Sequence, residues 1–199
     1  MGSSEPRTAT IKRKTKETDI ILTFSPDGTG EVTARTGVPF MDHMLTLFSV
    51  HGFFDLSITA SGDTEVDDHH TIEDLGICLG QAIKNSLEGY RAIKRYGSSS
   101  VPMDETLVRV TLDCSNRPYL HYDITLPDQK VGSFDTALAK EFLRALALHA
   151  GLTLHVELAH GENSHHILEA IFKAVGRALD QATAIDPRIT GTLSSKGSL

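Results

Sequence analysis

The chain predicts an α+β fold built from two similar halves, with helices packed on sheets. Three observations carry this reading. The segments "DDHHTIED" (67–74) and "SHHILEA" (164–170) hold the same His-His-x-x-Glu arrangement about a hundred residues apart. Superimposing them aligns His69 with His165, His70 with His166, Glu73 with Glu169, Gly80 with Gly176 and Ala82 with Ala178. Apolar periodicity also runs in the same order in each half: strand, strand, helix, strand, helix.

The elements follow along the chain. "TATIKRKT" alternates loosely and suits an edge strand, and "DIILTFSPDGTGEVTART" reads as two strands around a turn at Pro26–Gly28. In "GVPFMDHMLTLFSVHG" the residues Phe40, Met44, Leu47 and Phe48 recur at helical spacing, and Gly52 can end the helix. "FFDLSITASGD" alternates as a strand, and Ile72, Leu75, Leu79, Ile83 and Leu87 then form an apolar helical stripe, with Asp67 or Asp68 as the cap. In the second half, two strands flank a turn at Ser115–Pro118. An amphipathic helix starts near Asp135, "LTLHVELAHG" is a strand, and Asn163 or Ser164 caps the last helix. No linker separates the halves. The chain therefore reads as a single domain over 8–199, with repeats of about 8–92 and 104–186, a polar C-terminal tail and a disordered lead-in over 1–7.

Composition narrows the function. With 40% hydrophobic and 23% charged residues the chain is ordinary globular material. A net charge of -7 argues against a broad nucleic-acid surface. No apolar run approaches the ~18 residues of a membrane span, and "MGSSEPRTAT" holds no secretory signal. Cys78 and Cys114 have no CxxC spacing and fit a reducing, cytoplasmic setting as core thiols.

The chemistry lies in the doublets. On a helix, residues four apart share a face, so His69 and Glu73 can address one metal ion, and so can His165 and Glu169. Adjacent residues diverge by about 100° around the axis, so His70 and His166 point elsewhere. That implies two metal sites, each built across an interface, with a His/Glu pair from one helix and a lone His from the other doublet. His43 and His155 are candidate further ligands. Imidazole with carboxylate suits Mn, Fe or Zn, and the lack of thiolate counts against structural zinc. The spacing is not the HExxH of zinc peptidases. His51, His121, His149 and His160 have no repeated partner and read as structural or surface residues.

These doublets, with "FMDHML", "RYGSSSVPMDETL", "SNRPYL", "VGSFDT", "TLHVE", "GENSHHILEAIFKA" and the terminal "SSKG", resemble the imidazoleglycerol-phosphate dehydratases over nearly the whole chain. The resemblance implies a lyase of histidine biosynthesis that converts D-erythro-imidazoleglycerol phosphate to imidazole acetol phosphate. It implies two manganese ions per active site, bridged by the substrate's imidazolate, in a homo-oligomeric shell of 24 subunits assembled from trimers. It assigns one ion to His69, Glu73, His155 and His166, and the other to His43, His70, His165 and Glu169. Arg95, Arg117, Lys173, Ser195 and Lys196 are implied phosphate contacts, with the tail as a lid. Glu17 is the implied acid, base or hydroxyl-orienting residue; Glu169 and a metal-bound water are alternatives. Two competing readings stand beside this one: a dinuclear metal phosphohydrolase, and a non-catalytic metal-binding shell protein.

Overall fold

The structure, a computed structural model, describes residues 7–199, so the lead-in expected at 1–6 lies outside the described residues. Arg7, which the sequence groups with that lead-in, is instead fixed. Its backbone N–H and guanidinium donate to Asp27 over 2.6–3.1 Å, and Nη1 donates to the Thr183 carbonyl at 2.9 Å.

The first half contains β1 (Ala9–Lys14), β2 (Thr18–Ser25), β3 (Val32–Arg35), α1 (Pro39–Gly52), β4 (Asp55–Gly62) and α2 (His69–Ser86). The second contains β5 (Tyr96–Met103), β6 (Thr106–Asp113), β7 (Tyr119–Asp123), the short pair β8 (Lys130–Val131) and β9 (Phe134–Asp135), α3 (Leu138–Ala150), β10 (Thr153–His160) and α4 (Ser164–Thr183). Two four-stranded sheets result, ordered β1-β2-β4-β3 and β5-β6-β10-β7. In each, the first, second and last strands pair antiparallel, and the third lies parallel beside the last. Parallel neighbours need a crossover, and α1 and α3 supply it.

Each half thus opens with three strands: the first half holds the edge strand and the two around the turn, as read element by element, and the second has one more than expected. The additional strand in the second half, β5, runs through a serine-rich segment with no apolar alternation to reveal it. It starts ahead of residue 104, so the second repeat begins earlier than the sequence places it. β2 and β3 flank the Pro-Asp-Gly turn but do not pair, because β4 lies between them; β10 separates β6 from β7 in the same way. α3 begins at Leu138, later than expected, because Asp135 belongs to β9 and its carboxylate accepts the Ala137 N–H at 3.0 Å.

The helices join the sheets. α2 packs on β1 and β2 and also on α3, which reaches β7; α4 packs on β5 and β6 and also on α1, which reaches β3. One continuous apolar core results, and each fully buried Leu, Ile or Phe in it is worth roughly 1.5–3 kcal/mol. Glycines set the closeness of both helix pairs. A Cβ on Gly176 would meet Phe48 O at 2.3 Å and Gly52 N at 3.3 Å, and one on Gly80 would meet Leu146 O at 2.8 Å and Ala150 N at 2.9 Å. These matching contacts superimpose α1 on α3 with a shift of 98 residues.

Candidate functional site

Both His-His-x-x-Glu segments open a helix, and at each opening a side chain two residues ahead of the first histidine accepts its backbone N–H; Asp68, the N-cap of α2, makes no such bond. Asp67 Oδ1 accepts the His69 N–H at 2.8 Å, and Asn163 Oδ1 accepts that of His165 at 2.9 Å. Ser164, the other cap candidate, is buried and bonds Asp128 instead. The bonds to His69 and His165 fix the first turn, so each doublet leaves the helix in a defined direction. The rings within a doublet stand nearly perpendicular, at 90° for His69 and His70 and 84° for His165 and His166.

At the α4 opening, donor atoms converge. His43 of α1 and His165 both place Nε2 on Glu169 Oε1, at 2.9 and 3.0 Å, and the three ligand atoms lie within 4.8 Å of one another. Lys173 Nζ donates to the other carboxylate oxygen at 2.7 Å and to Met103 Sδ at 3.4 Å. Burial works against the Glu169 charge, but hydrogen bonds from Lys173, His43 and His165 outweigh it and hold the carboxyl down to about 2. Phe40 packs edge-on against His165 and is itself backed by Phe134 of β9, so the small hairpin steadies the ring. Two imidazoles and an ionised carboxylate within one ion's reach fit a borderline divalent metal.

His166 turns away, and its Nδ1 meets Glu105 Oε2 at 2.8 Å. Glu105 also accepts N–H groups from Glu162 and Asn163, and these bonds, that with His166 foremost, hold it down to about 2. At the α2 opening, His69 Nε2 and Glu73 Oε2 face each other at 3.6 Å, while His70 Nδ1 meets Asp63 Oδ2 at 3.0 Å. The bonds to Glu105 and Asp63 raise the pKa of His166 and His70 respectively. Glu17, in the β1–β2 turn, accepts the Asp63 N–H through its backbone carbonyl, and its charge acts on His70. Asp74 is buried, accepting from Thr18 at 2.5 Å and pairing with Arg13 at 2.9 Å; it ties α2 to the sheet.

The chain gathers only part of the expected ligand sets. His43, His165 and Glu169 meet, and His69 faces Glu73, but His70 stands with Asp63 on the other helix opening. His155 sits on β10 against His121 and Tyr119, outside the gathered cluster. The place in α3 that corresponds to His43 in α1, by the shift between the glycine contacts, is Glu141. Sequence reasoning also missed two carboxylates, Asp63 and Glu105. Asp63 lies on the loop after β4 and Glu105 in the β5–β6 turn. Neither lies on the helix that carries the histidine it holds, so no helical pattern in the sequence marks it.

The implied phosphate contacts divide in two. Lys173 belongs to the α4 cluster. Arg95 lies at the other end of β5, where Nε and Nη2 grip Asp113 at 2.6 and 3.0 Å and Nη1 donates to the Leu193 carbonyl at 2.7 Å. Its guanidinium stacks 4.9 Å over Tyr96. Arg117 reaches the same Asp113 at 3.5 Å and is largely exposed. The tail is anchored here, since Ala92 N–H and Arg95 Nη1 donate to the Gly191 and Leu193 carbonyls, and within it the Lys196 N–H donates to Ser194 Oγ. Arg95, Arg188, Ser194 and Ser195 line an open cavity of about 670 Å³.

Comparison with known proteins places this geometry. A family model described as imidazoleglycerol-phosphate dehydratase matches residues 36–179. The chain is 61% identical to the imidazoleglycerol-phosphate dehydratase of Halalkalibacterium halodurans, over 97% of this chain and 100% of that protein. It is 58% identical to the one from Bacillus subtilis, over 97% and 100%. The crystal structure of the Staphylococcus aureus enzyme is similar with a TM-score of 0.82 at 42% identity, covering 90% of this chain and 99% of that one. The Pyrococcus furiosus enzyme also gives a TM-score of 0.82, at 41% identity, covering 95% and 100%.

Proposed function

Because the chain belongs to the imidazoleglycerol-phosphate dehydratase family, and is a metal-dependent dehydratase of histidine biosynthesis, we propose how its residues divide the work. The substrate is D-erythro-imidazoleglycerol phosphate and the product imidazole acetol phosphate, formed in the cytoplasm. One observation carries the proposal: His43, His165 and Glu169 converge on a common point, with Lys173 behind the carboxylate. When bound by these histidines and carboxylates, two manganese ions per active site would supply the Lewis acidity that favours loss of the substrate's C3 hydroxyl.

The protein's own residues bind, orient and move protons. His43, His165 and Glu169 hold one ion, completed by a His70 from another copy of the chain. His69 and Glu73 hold the other, completed by another copy's His166. Glu141, which takes the place of His43 in the repeat, replaces His155 in that set. Loss of manganese from Glu141→Ala, counted per chain, tests this replacement; full retention rejects it. Asp63 and Glu105 fix the ring orientation of His70 and His166 and leave each Nε2 for metal.

Arg117, Ser195 and Lys196 grip the phosphate, and Lys173 adds a positive charge. Arg95 has already committed its nitrogens to Asp113 and Leu193, so it shapes the pocket and anchors the tail. Glu17, beside His70, moves the proton or orients the leaving hydroxyl. Because neither helix opening gathers a full ligand set among the described residues, the active site forms between subunits, in the 24-subunit shell built from trimers. Manganese-loaded protein should convert imidazoleglycerol phosphate to the ketone product. Failure after full metal loading rejects the reading, and release of inorganic phosphate favours the phosphohydrolase.

A further inference from the structure

A second group of histidines lies away from the two helix openings. His121 of β7 and His155 of β10 are direct neighbours in the parallel register of the second sheet. Both are half-buried, and neither ring has a hydrogen-bond or ion-pair partner among the described residues. Along the burial pattern of β10, His155 alternates with the buried Leu154 and Val156, so the pair occupies the sheet face turned away from the core.

Their separation suits a shared ion. An imidazole nitrogen binds zinc at about 2.0–2.1 Å, which puts the ring centre about 3.2 Å from the metal. Two such rings at a tetrahedral angle have centres about 5.2 Å apart. The His121 and His155 centroids are 5.2 Å apart. The next register pair on the same face is Asp123 and Glu157, both exposed. Two residues along a strand span about 7 Å, within reach of a carboxylate side chain, so either acid can add an oxygen ligand and negative charge.

We propose that His121 and His155 form a divalent-metal site on the outer face of the second sheet, distinct from the manganese sites at the helix openings. Its chemistry selects zinc, nickel or copper(II), because paired imidazoles favour these ions over manganese. β7 is an edge strand, held to the sheet through β10 alone. An ion bridging His121 and His155 therefore staples that edge in place.

The test uses the assembled protein, loaded with manganese, then equilibrated with zinc chloride and freed of loosely held ions. Wild type should retain one more zinc per chain than His121→Ala, and the variant should bind that zinc at least tenfold more weakly in titration. Zinc should also raise the melting temperature of wild type more than that of the variant. If His121→Ala assembles poorly, His121→Gln replaces it, since it keeps a polar side chain of similar reach without the imidazole. Equal zinc counts in wild type and a well-assembled variant overturn the proposal. So does the absence of any bound zinc beyond the helix-opening sites, which is the result expected if neighbouring subunits cover this face.

Discussion

At the scale of single residues, the four histidines of the doublets face four different carboxylates. His165 shares Glu169 with His43, while His166 and His70 are held through Nδ1 by Glu105 and Asp63. Such orienting partners are worth about 10–100-fold in metal affinity. Glu105→Gln or Asp63→Asn should weaken manganese binding by that factor in a metal titration, with the fold intact by circular dichroism. A second residue-scale prediction concerns Asp27, whose pKa is lowered chiefly by its hydrogen bond from Arg7. A depressed carboxyl stabilises the fold above its unfolded pKa of about 3.9 and loses that contribution as pH falls through the lower folded value. Asp27→Asn should therefore be less stable than wild type at neutral pH, and the gap should close below about pH 4. A gap that persists in acid rejects this role for the pair.

At the scale of elements, the two helix pairs depend on glycine. In Gly176→Ala the new Cβ would stand 2.3 Å from the Phe48 carbonyl, a backbone atom with little room to yield. Alanine gains about 1 kcal/mol of helix propensity over glycine, but overpacking a close helix contact costs about 1–3 kcal/mol, with larger values where the backbone must shift. Net destabilisation is expected, read as a lower urea midpoint at fixed protein concentration. An unchanged or higher midpoint would mean α1 can slide away from α4. The separation matters to the site because α1 carries His43 to Glu169. β5 shows the limit of periodicity at this scale. Gly97 packs against Ala178, and a Cβ there would overlap the Ala178 carbonyl. Packing of that kind leaves no hydrophobic alternation in the sequence.

For the whole molecule, both halves share one strand order and one pattern of helix pairing, and matching ion pairs stand at corresponding ends, Arg7 with Asp27 in the first half and Arg95 with Asp113 in the second. If neighbouring copies complete the ligand sets proposed for the two helix openings, assembly is part of the chemistry. Imidazole must be neutral to bind metal, so acid and chelators should both release a bound ion. If ions join neighbouring subunits, verified metal removal should reduce the particle size seen by light scattering, and manganese at neutral pH should restore it. An unchanged size after complete removal would show that protein contacts alone hold the shell.

By itself the sequence determined the α+β class, the duplication and the chemical identity of the cluster, because repeated His-His-x-x-Glu at helix starts encodes direction as well as composition. The family membership followed from the same motifs. Only the tertiary structure decided which ligands meet. It brought His43 to Glu169, set His155 beside His121, gave Asp63 and Glu105 their histidines and fastened the tail beneath Arg95. Periodicity reports which face of an element is buried; it carries no record of which distant element covers that face, and these contacts depend on sheet order and on how closely the helices approach.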